Sequence, residues 1–165
     1  GALEGLVGIE KMNLNHVKCH GALYNRAIID DVLATSIVEG IAEYRDSLKI
    51  VVPPNSAIHH VAETKGVPYI KEAFADRNYE PNGELVSRKQ PNAMITNPTE
   101  IASRVLKMVQ NGVIIAKDGT VLEMDIDTIC FHTDTPNAQI SLEKTLQSLK
   151  KKNVQLNKYI QEVNQ

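Results

Sequence analysis

His132-Thr133-Asp134 follows the apolar run Thr128-Ile129-Cys130-Phe131. An imidazole and a carboxylate two positions apart in a loop can share a metal ion, or one can orient the other for proton transfer. Asp76-Arg77 closes the run 69–75. It joins a carboxylate suited to proton handling with a guanidinium whose planar fork grips a carboxylate or a phosphate. His20-Gly21 closes the run 16–19, where glycine allows a sharp turn and an exposed imidazole serves as general base or metal ligand. Each cluster also has a local explanation: a hydrogen-bonded loop histidine, an ion pair closing a loop, or Asp134 helping to cap the helix that starts at Pro136. Their shared position favours the functional reading. All of them, with Pro53-Pro54-Asn55-Ser56 after the run 48–52, come after apolar runs rather than before them. Parallel β/α proteins gather ligands and chemistry at the carboxyl ends of their strands. One site is therefore expected, with His20, Asp76, His132 and Asp134 as candidates for proton chemistry and His20, His132 and Asp134 as candidate metal ligands. Arg77 is the expected anion clamp, and Arg88 further along is either its companion or a surface arginine.

The elements that must hold these residues read as strands alternating with helices, which argues a parallel sheet. Asp30 or Asp31 can cap a helix whose inward face is Val32, Leu33, Ser36, Ile37, Gly40, Ile41 and Tyr44. The next helix covers 56–65 and is stopped by Gly66. Asn97-Pro98 is a cap followed by proline at the first helical position, and the helix it opens buries Ile101, Val105, Leu106, Met108 and Val109. Lys117-Asp118-Gly119 turns a small hairpin between 113–116 and 120–122, and Thr135-Pro136 repeats the cap-then-proline start for a helix over 137–150. The stretch 76–96, rich in Pro, Asn and Gly, breaks the rhythm. Such a long turn-rich excursion in a compact domain points to a functional loop. Residues 2–10 read as the second half of an amphipathic helix without a cap of its own, and Gly1 is not an initiator methionine, so sequence is expected upstream.

At 165 residues with 42% hydrophobic content, the chain fits one domain, 1–165, with a real core. A net charge of −2 gives no general attraction to nucleic acid or anionic membrane, and the Lys150-Lys151-Lys152 run suits the end of a helix. No apolar stretch approaches the ~20 residues needed to span a bilayer. Two cysteines are too few for a disulfide scaffold, so a reduced, cytoplasmic protein is expected. Cys19 and Cys130 sit at strand ends near His20 and His132, yet read better as buried inert thiols than as nucleophiles. His59 and His60 lie in one helix with rings about 100° apart, which suits structure or solvent rather than a shared ligand. Neither Gly-x-x-x-x-Gly-Lys-Ser/Thr nor Gly-x-Gly-x-x-Gly occurs, nor the Gly-x-Ser-x-Gly elbow.

Three longer stretches resemble the signature blocks of the LamB/YcsF family. Val17-Lys18-Cys19-His20-Gly21-Ala22-Leu23-Tyr24-Asn25 resembles the first, usually Val-Lys-Pro-His-Gly-Ala-Leu-Tyr-Asn. Residues 72–88, including Asp76-Arg77, Gly83-Glu84-Leu85-Val86 and Arg88, resemble the second. Cys130-Phe131-His132-Thr133-Asp134 resembles the third, usually Cys-Val-His-Gly-Asp. The departures are Cys19 for proline, Thr133 for glycine and Asn92 where glycine is usual. Asparagine tolerates a left-handed site, whereas a β-branched threonine resists positive φ.

The resemblance implies an α/β fold, a distorted (β/α) barrel of the polysaccharide-deacetylase-like type, incomplete here because the N-terminal strands and three further motif blocks would precede Gly1. It implies the A subunit of a 5-oxoprolinase, a hydrolase acting on a cyclic amide. With ATP as co-substrate, and with subunits B and C, it opens 5-oxoproline to L-glutamate; a shortened subunit need not be active alone. It adds Lys18 and Asn25 to Arg77 and Arg88 as substrate-binding candidates, and His20, Asp76, His132 and Asp134 remain the catalytic ones. Two rival readings stand beside it: a metal-dependent amide or acetyl hydrolase, using a divalent metal, and a non-catalytic interaction protein.

Overall fold

Parallel strands alternate with helices along the chain, and the turn and cap residues account for most of the boundaries. The computed structural model describes residues 1–157, arranged as two units, Gly1–Ile70 together with Asn157, and Lys71–Leu156. The first unit contains α1 (Ala2–Ile9), β1 (His16–Lys18), α2 (Ala22–Ala27), α3 (Asp31–Tyr44), β2 (Lys49–Val52) and α4 (Ala57–Thr64). The strand β3 (Tyr69–Phe74) starts at its end. Strands β1 and β2 pair in parallel with Val17 opposite Ile50. The core is Ala27, Ala34, Val38, Ile50, Val52, Ile58, Ala62 and Val67.

Gly21 enters α2 at φ 58°, ψ −128°, a conformation that needs glycine. Asp30 caps α3, its carboxylate accepting from the Leu33 N–H at 3.1 Å. Ser56 caps α4 by accepting from the His59 N–H at 3.3 Å, and Gly66 follows the helix at φ 69°. The inward face of α3 is rotated from the one expected. Ala34 and Val38 are fully buried and Ile37, Ile41 and Ala42 pack beside them, whereas Val32 is 79% and Tyr44 50% exposed. Small Ala34 allows a close approach to the core, while Tyr44 is drawn outward to Glu4 and to the N-terminal amine, 2.9 Å from its hydroxyl. Glu4 also meets Arg45. These polar contacts hold α1, none of whose residues is buried.

The second unit continues β3 and adds α5 (Pro98–Asn111), β4 (Val113–Ile115), β5 (Val121–Glu123), β6 (Thr128–Cys130) and α6 (Ala138–Lys151). Strands β3 and β6 are parallel, with Phe74 opposite Cys130, and β4–β5 form the expected hairpin. Helix α5 opens as the sequence requires, with Asn97 accepting from the Thr99 and Glu100 N–H groups, and ends at left-handed Gly112. It buries Ile101, Ala102, Val105 and Met108, while Val109 is 40% exposed rather than buried. The start of α6 departs from expectation. Asn137, at φ 62°, occupies the cap position without a side-chain cap bond, because the Thr135 hydroxyl is bound elsewhere.

The excursion 76–96 is held by its own ladder. The Ile95 N–H donates to the Asp76 carbonyl at 2.9 Å, that of Asn78 to Ala93 at 3.0 Å and that of Val86 to Asn78 at 2.9 Å. Asn92 has φ 61°, the left-handed geometry expected at that position. Tyr79 anchors the loop from beneath. It is 4% exposed, and its hydroxyl accepts the Phe74 N–H at 2.9 Å. The Arg104 guanidinium lies 5.4 Å from its ring centre and donates to the Ile115 and Arg77 carbonyls at 3.0 and 3.1 Å. Burial pushes the Tyr79 hydroxyl from 10.0 up to about 12.

Two measurements test this packing. Val38→Ala should lower the unfolding free energy by about 2 kcal/mol in urea titration, whereas Val32→Ala should stay within about 0.5 kcal/mol; equal losses would restore the face read from the sequence. Tyr79 ionises near its ordinary value in the unfolded chain but only near 12 in the folded one. The unfolded chain loses its proton first, so the contribution is complete below pH 10 and falls as pH rises toward 12. Between about pH 8 and about pH 11 the wild type should therefore lose on the order of 1 kcal/mol more than Tyr79→Phe.

Candidate functional site

A carboxylate taken out of water must find donors or it destabilises the fold. Asp76 is 1% exposed and three donors converge on it. Its Oδ1 lies 2.8 Å from His132 Nδ1, and its Oδ2 accepts from the His132 backbone N–H at 3.2 Å and from the Thr135 hydroxyl at 2.6 Å. The strand pairing brings these residues together. Phe74 and Cys130 are in register, and the Ala75 N–H extends the ladder to the Cys130 carbonyl at 3.0 Å. Asp76 and His132 are thus each two residues past a paired position, at adjacent strand ends. The His132 ring stacks on Phe74 with centres 5.4 Å apart and planes 11° apart, and its side chain keeps 22% exposure. Because a carboxylate only accepts, Nδ1 carries the ring hydrogen, and in the neutral imidazole Nε2 then keeps its lone pair. The arrangement can accept a proton at Nε2 and support the resulting imidazolium.

Arg88 and Asp134 are also brought together, Nη1 to Oδ2 at 3.6 Å, with side chains 52% and 70% exposed. They come from the excursion and from the loop after β6. Asp134 therefore does not cap α6. Thr133 is not among the residues with positive φ, so the β-branched side chain is unstrained where the family usually has glycine. Arg77 departs from the expected clamp. It is 5% exposed and its Nη2 donates to the Val86 carbonyl at 2.7 Å, while its buried Nε finds no hydrogen-bond partner among the described residues. Burial, and then the nearby Arg88 charge, lower its guanidinium from the usual range, against the opposing influence of Asp76. Arg77 fastens the excursion to the unit. Sequence reasoning missed Thr135, which it read as a helix cap, and Phe74, which it read as one more apolar strand residue.

In the first unit, His20 is exposed between β1 and Gly21, as are Lys18 and Asn25. Lys18 Nζ lies 5.2 Å from the Tyr24 ring centre. Cys19 and Cys130 are both half-buried, and burial pushes the Cys19 thiol up, which suits an inert sulfur. His59 is structural, accepting the Asn55 N–H at 3.2 Å on Nδ1 and meeting Tyr69 edge-on. No group of three or more His, Cys, Asp or Glu side chains that could hold a metal ion occurs among the described residues. Nor is any helix there long and apolar enough to cross a membrane. A cavity of about 780 Å³ lies between α5, the hairpin and the excursion, lined by Arg104, Lys107 and Lys117 among others. Arg104 is bound to two carbonyls and Lys117 to Glu80 and Gln90, so most of its positive charge is already engaged.

Comparison with known proteins adds a second line of evidence. The LamB/YcsF family model matches residues 1–164. One relative, a 5-oxoprolinase A subunit from Rhodopseudomonas palustris, is 44% identical over 138 residues, covering 84% of this chain and 54% of that protein. Its counterpart from Nitrobacter winogradskyi is 40% identical over 153 residues, covering 93% and 60%. The crystal structure of a lactam utilization protein from Thermus thermophilus superposes with a TM-score of 0.84 at 35% identity, over 92% of this chain and 60% of that one. The chain thus spans between 54% and 60% of the length of these relatives. On the strength of the family match and of these identities, the chain belongs to the LamB/YcsF family.

Proposed function

We propose that this chain carries the proton-handling part of a 5-oxoprolinase A subunit, which with subunits B and C opens 5-oxoproline to L-glutamate at the expense of ATP. The observation that carries the reading is the buried Asp76 carboxylate held on His132 Nδ1 at 2.8 Å. It is supported by relatives named as the A subunit of 5-oxoprolinase. The distorted barrel of deacetylase-like type is part of the same proposal, as is a cytoplasmic location.

A lactam resists water because amide resonance stabilises its carbonyl. Transfer of the ATP γ-phosphoryl group to the carbonyl oxygen removes that resonance and releases ADP. Water then adds to the ring carbon as His132 Nε2 takes its proton, with Asp76 stabilising the imidazolium. His132 returns the proton to the ring nitrogen as the C–N bond breaks, which general acid–base catalysis requires of a single group used twice. The acyl phosphate so formed gives glutamate and phosphate with a second water. Arg88 is the anion-binding group for the substrate carboxylate or a phosphate, in place of Arg77, and Asp134 sets its position. His20 is assigned to proton handling and Lys18 and Asn25 to substrate binding by the family resemblance. No step is routed through a metal.

The test is steady-state, ATP-dependent glutamate formation by the full-length subunit reconstituted with its partners. His132→Ala and Asp76→Asn should each lower turnover by about 10²-fold or more, with rates taken per folded, assembled complex because both changes also disturb a buried pair. Arg88→Lys should mainly raise the KM for 5-oxoproline or ATP, because lysine keeps the charge but loses the fork. Near-normal rates for both His132→Ala and Asp76→Asn would leave the dyad a structural feature of the loop.

A further inference from the structure

Asp76 Oδ2 is held by two donors from the loop after β6, and only one of them is a side chain. The Thr135 hydroxyl, at 2.6 Å, is the shortest of the three contacts, and Thr135 is 5% exposed. The same residue closes a turn, its N–H donating to the His132 carbonyl at 3.3 Å, and its own carbonyl receives the Ala138 N–H at 3.1 Å at the start of α6. The hydroxyl is therefore fixed at both ends of its residue and has little freedom to leave the carboxylate. A carboxylate on a single Cβ–Cγ bond can rotate, and its two oxygens are equivalent until something distinguishes them. Here Thr135 and the His132 N–H claim Oδ2, which leaves Oδ1 facing His132 Nδ1.

We infer that Thr135 is a positioning residue of the dyad: its hydroxyl stops the Asp76 carboxylate from turning its plane away from the ring and so keeps Oδ1 within hydrogen-bond reach of His132 Nδ1, and that contact holds the neutral imidazole in the Nδ1–H tautomer with Nε2 as the proton-accepting atom. The inference rests on the proposed function only for its catalytic consequence. The tautomer follows from the contacts alone, since second-layer hydrogen bonds of this kind set the tautomer and orientation of an imidazole. Threonine also contributes a methyl group, and the test must separate that packing role from the hydroxyl.

The primary measurement uses the full-length subunit and needs no turnover. Two-bond ¹⁵N–¹H correlation spectra distinguish a protonated ring nitrogen from one bearing a lone pair. Wild type and Thr135→Ser, which keeps the hydroxyl, should both show neutral His132 protonated at Nδ1. Thr135→Val, isosteric but without a donor, should show a mixture of tautomers. If valine does not fold, Thr135→Cys, similar in size with only a weak S–H donor, takes its place with the same expectation. A valine or cysteine variant that keeps the pure Nδ1–H form, or a serine variant that loses it, overturns the inference. In the assembled enzyme, Thr135→Val should lower kcat about 10- to 100-fold with KM unchanged, and serine should restore it. The two claims fail separately. Full activity of His132→Ala would remove the proposed function while the tautomer result stands, and an unchanged tautomer in Thr135→Val beside an inactive His132→Ala would do the reverse.

Discussion

The buried carboxylate of Asp76 is the interaction on which the second unit's strand-end loops depend. An isolated charge in a low-dielectric setting is far too costly to keep, whereas one with several good donors is tolerable. Every donor to Asp76 among the described residues comes from 132–135, so the requirement fixes the path of that loop. It bends back over the end of β3 before α6 begins, and Thr135 cannot both serve the carboxylate and cap the helix. Asn137 then enters α6 in a left-handed conformation without a side-chain cap bond. The carbonyl of Asp76 takes the Ile95 N–H on its other side. One residue thus ties together the two loops that leave the carboxyl ends of β3 and β6.

The excursion 76–96 would be a liability as free chain, since each ordered residue costs roughly 1–2 kcal/mol of backbone entropy. Its antiparallel ladder, the buried Tyr79 and the two arginines offset that cost. Arg77 and Arg104 act less as charges than as multi-pronged donors. Arg77 holds the Val86 carbonyl, and Arg104 spans from the hairpin at Ile115 to Arg77. Guanidinium is suited to this because it is weakly hydrated and planar, and can be buried where an ammonium cannot.

Much of the architecture was legible in the sequence wherever a local signal decides. Asn97-Pro98, Ser56, Asp30, Gly66 and Asp118-Gly119 each act within a few residues of themselves, and the structure places caps, stops and turns there. The polar clusters at strand ends were likewise readable, and Asp76 and His132 do meet. Long-range partners decided what was not readable. The face of α3 depended on Ala34 packing closely and on Tyr44 being claimed by Glu4. Thr135-Pro136 carries the same local signal as Asn97-Pro98, yet a carboxylate 59 positions away captured its hydroxyl. Arg77 and Arg88 are indistinguishable by residue type, and only the fold shows that one is buried and the other exposed.

That difference in burial assigns the two charged pairs of this unit different tasks. Asp76 and His132 are enclosed and multiply bonded, so changing either leaves the other uncompensated; this suits groups that must hold one geometry through a reaction. Arg88 and Asp134 are exposed and 3.6 Å apart, a separation and exposure at which an ion pair contributes about 0–1 kcal/mol. An incoming carboxylate or phosphate could take Asp134's place on the guanidinium at little cost and gain a bidentate contact that the present pair lacks. The rigid dyad and the exchangeable pair are both anchored through the same loops. In the proposed reaction, binding would rearrange only the weak pair, and the hydrogen bonds that set the imidazole would already be in place before the substrate arrives.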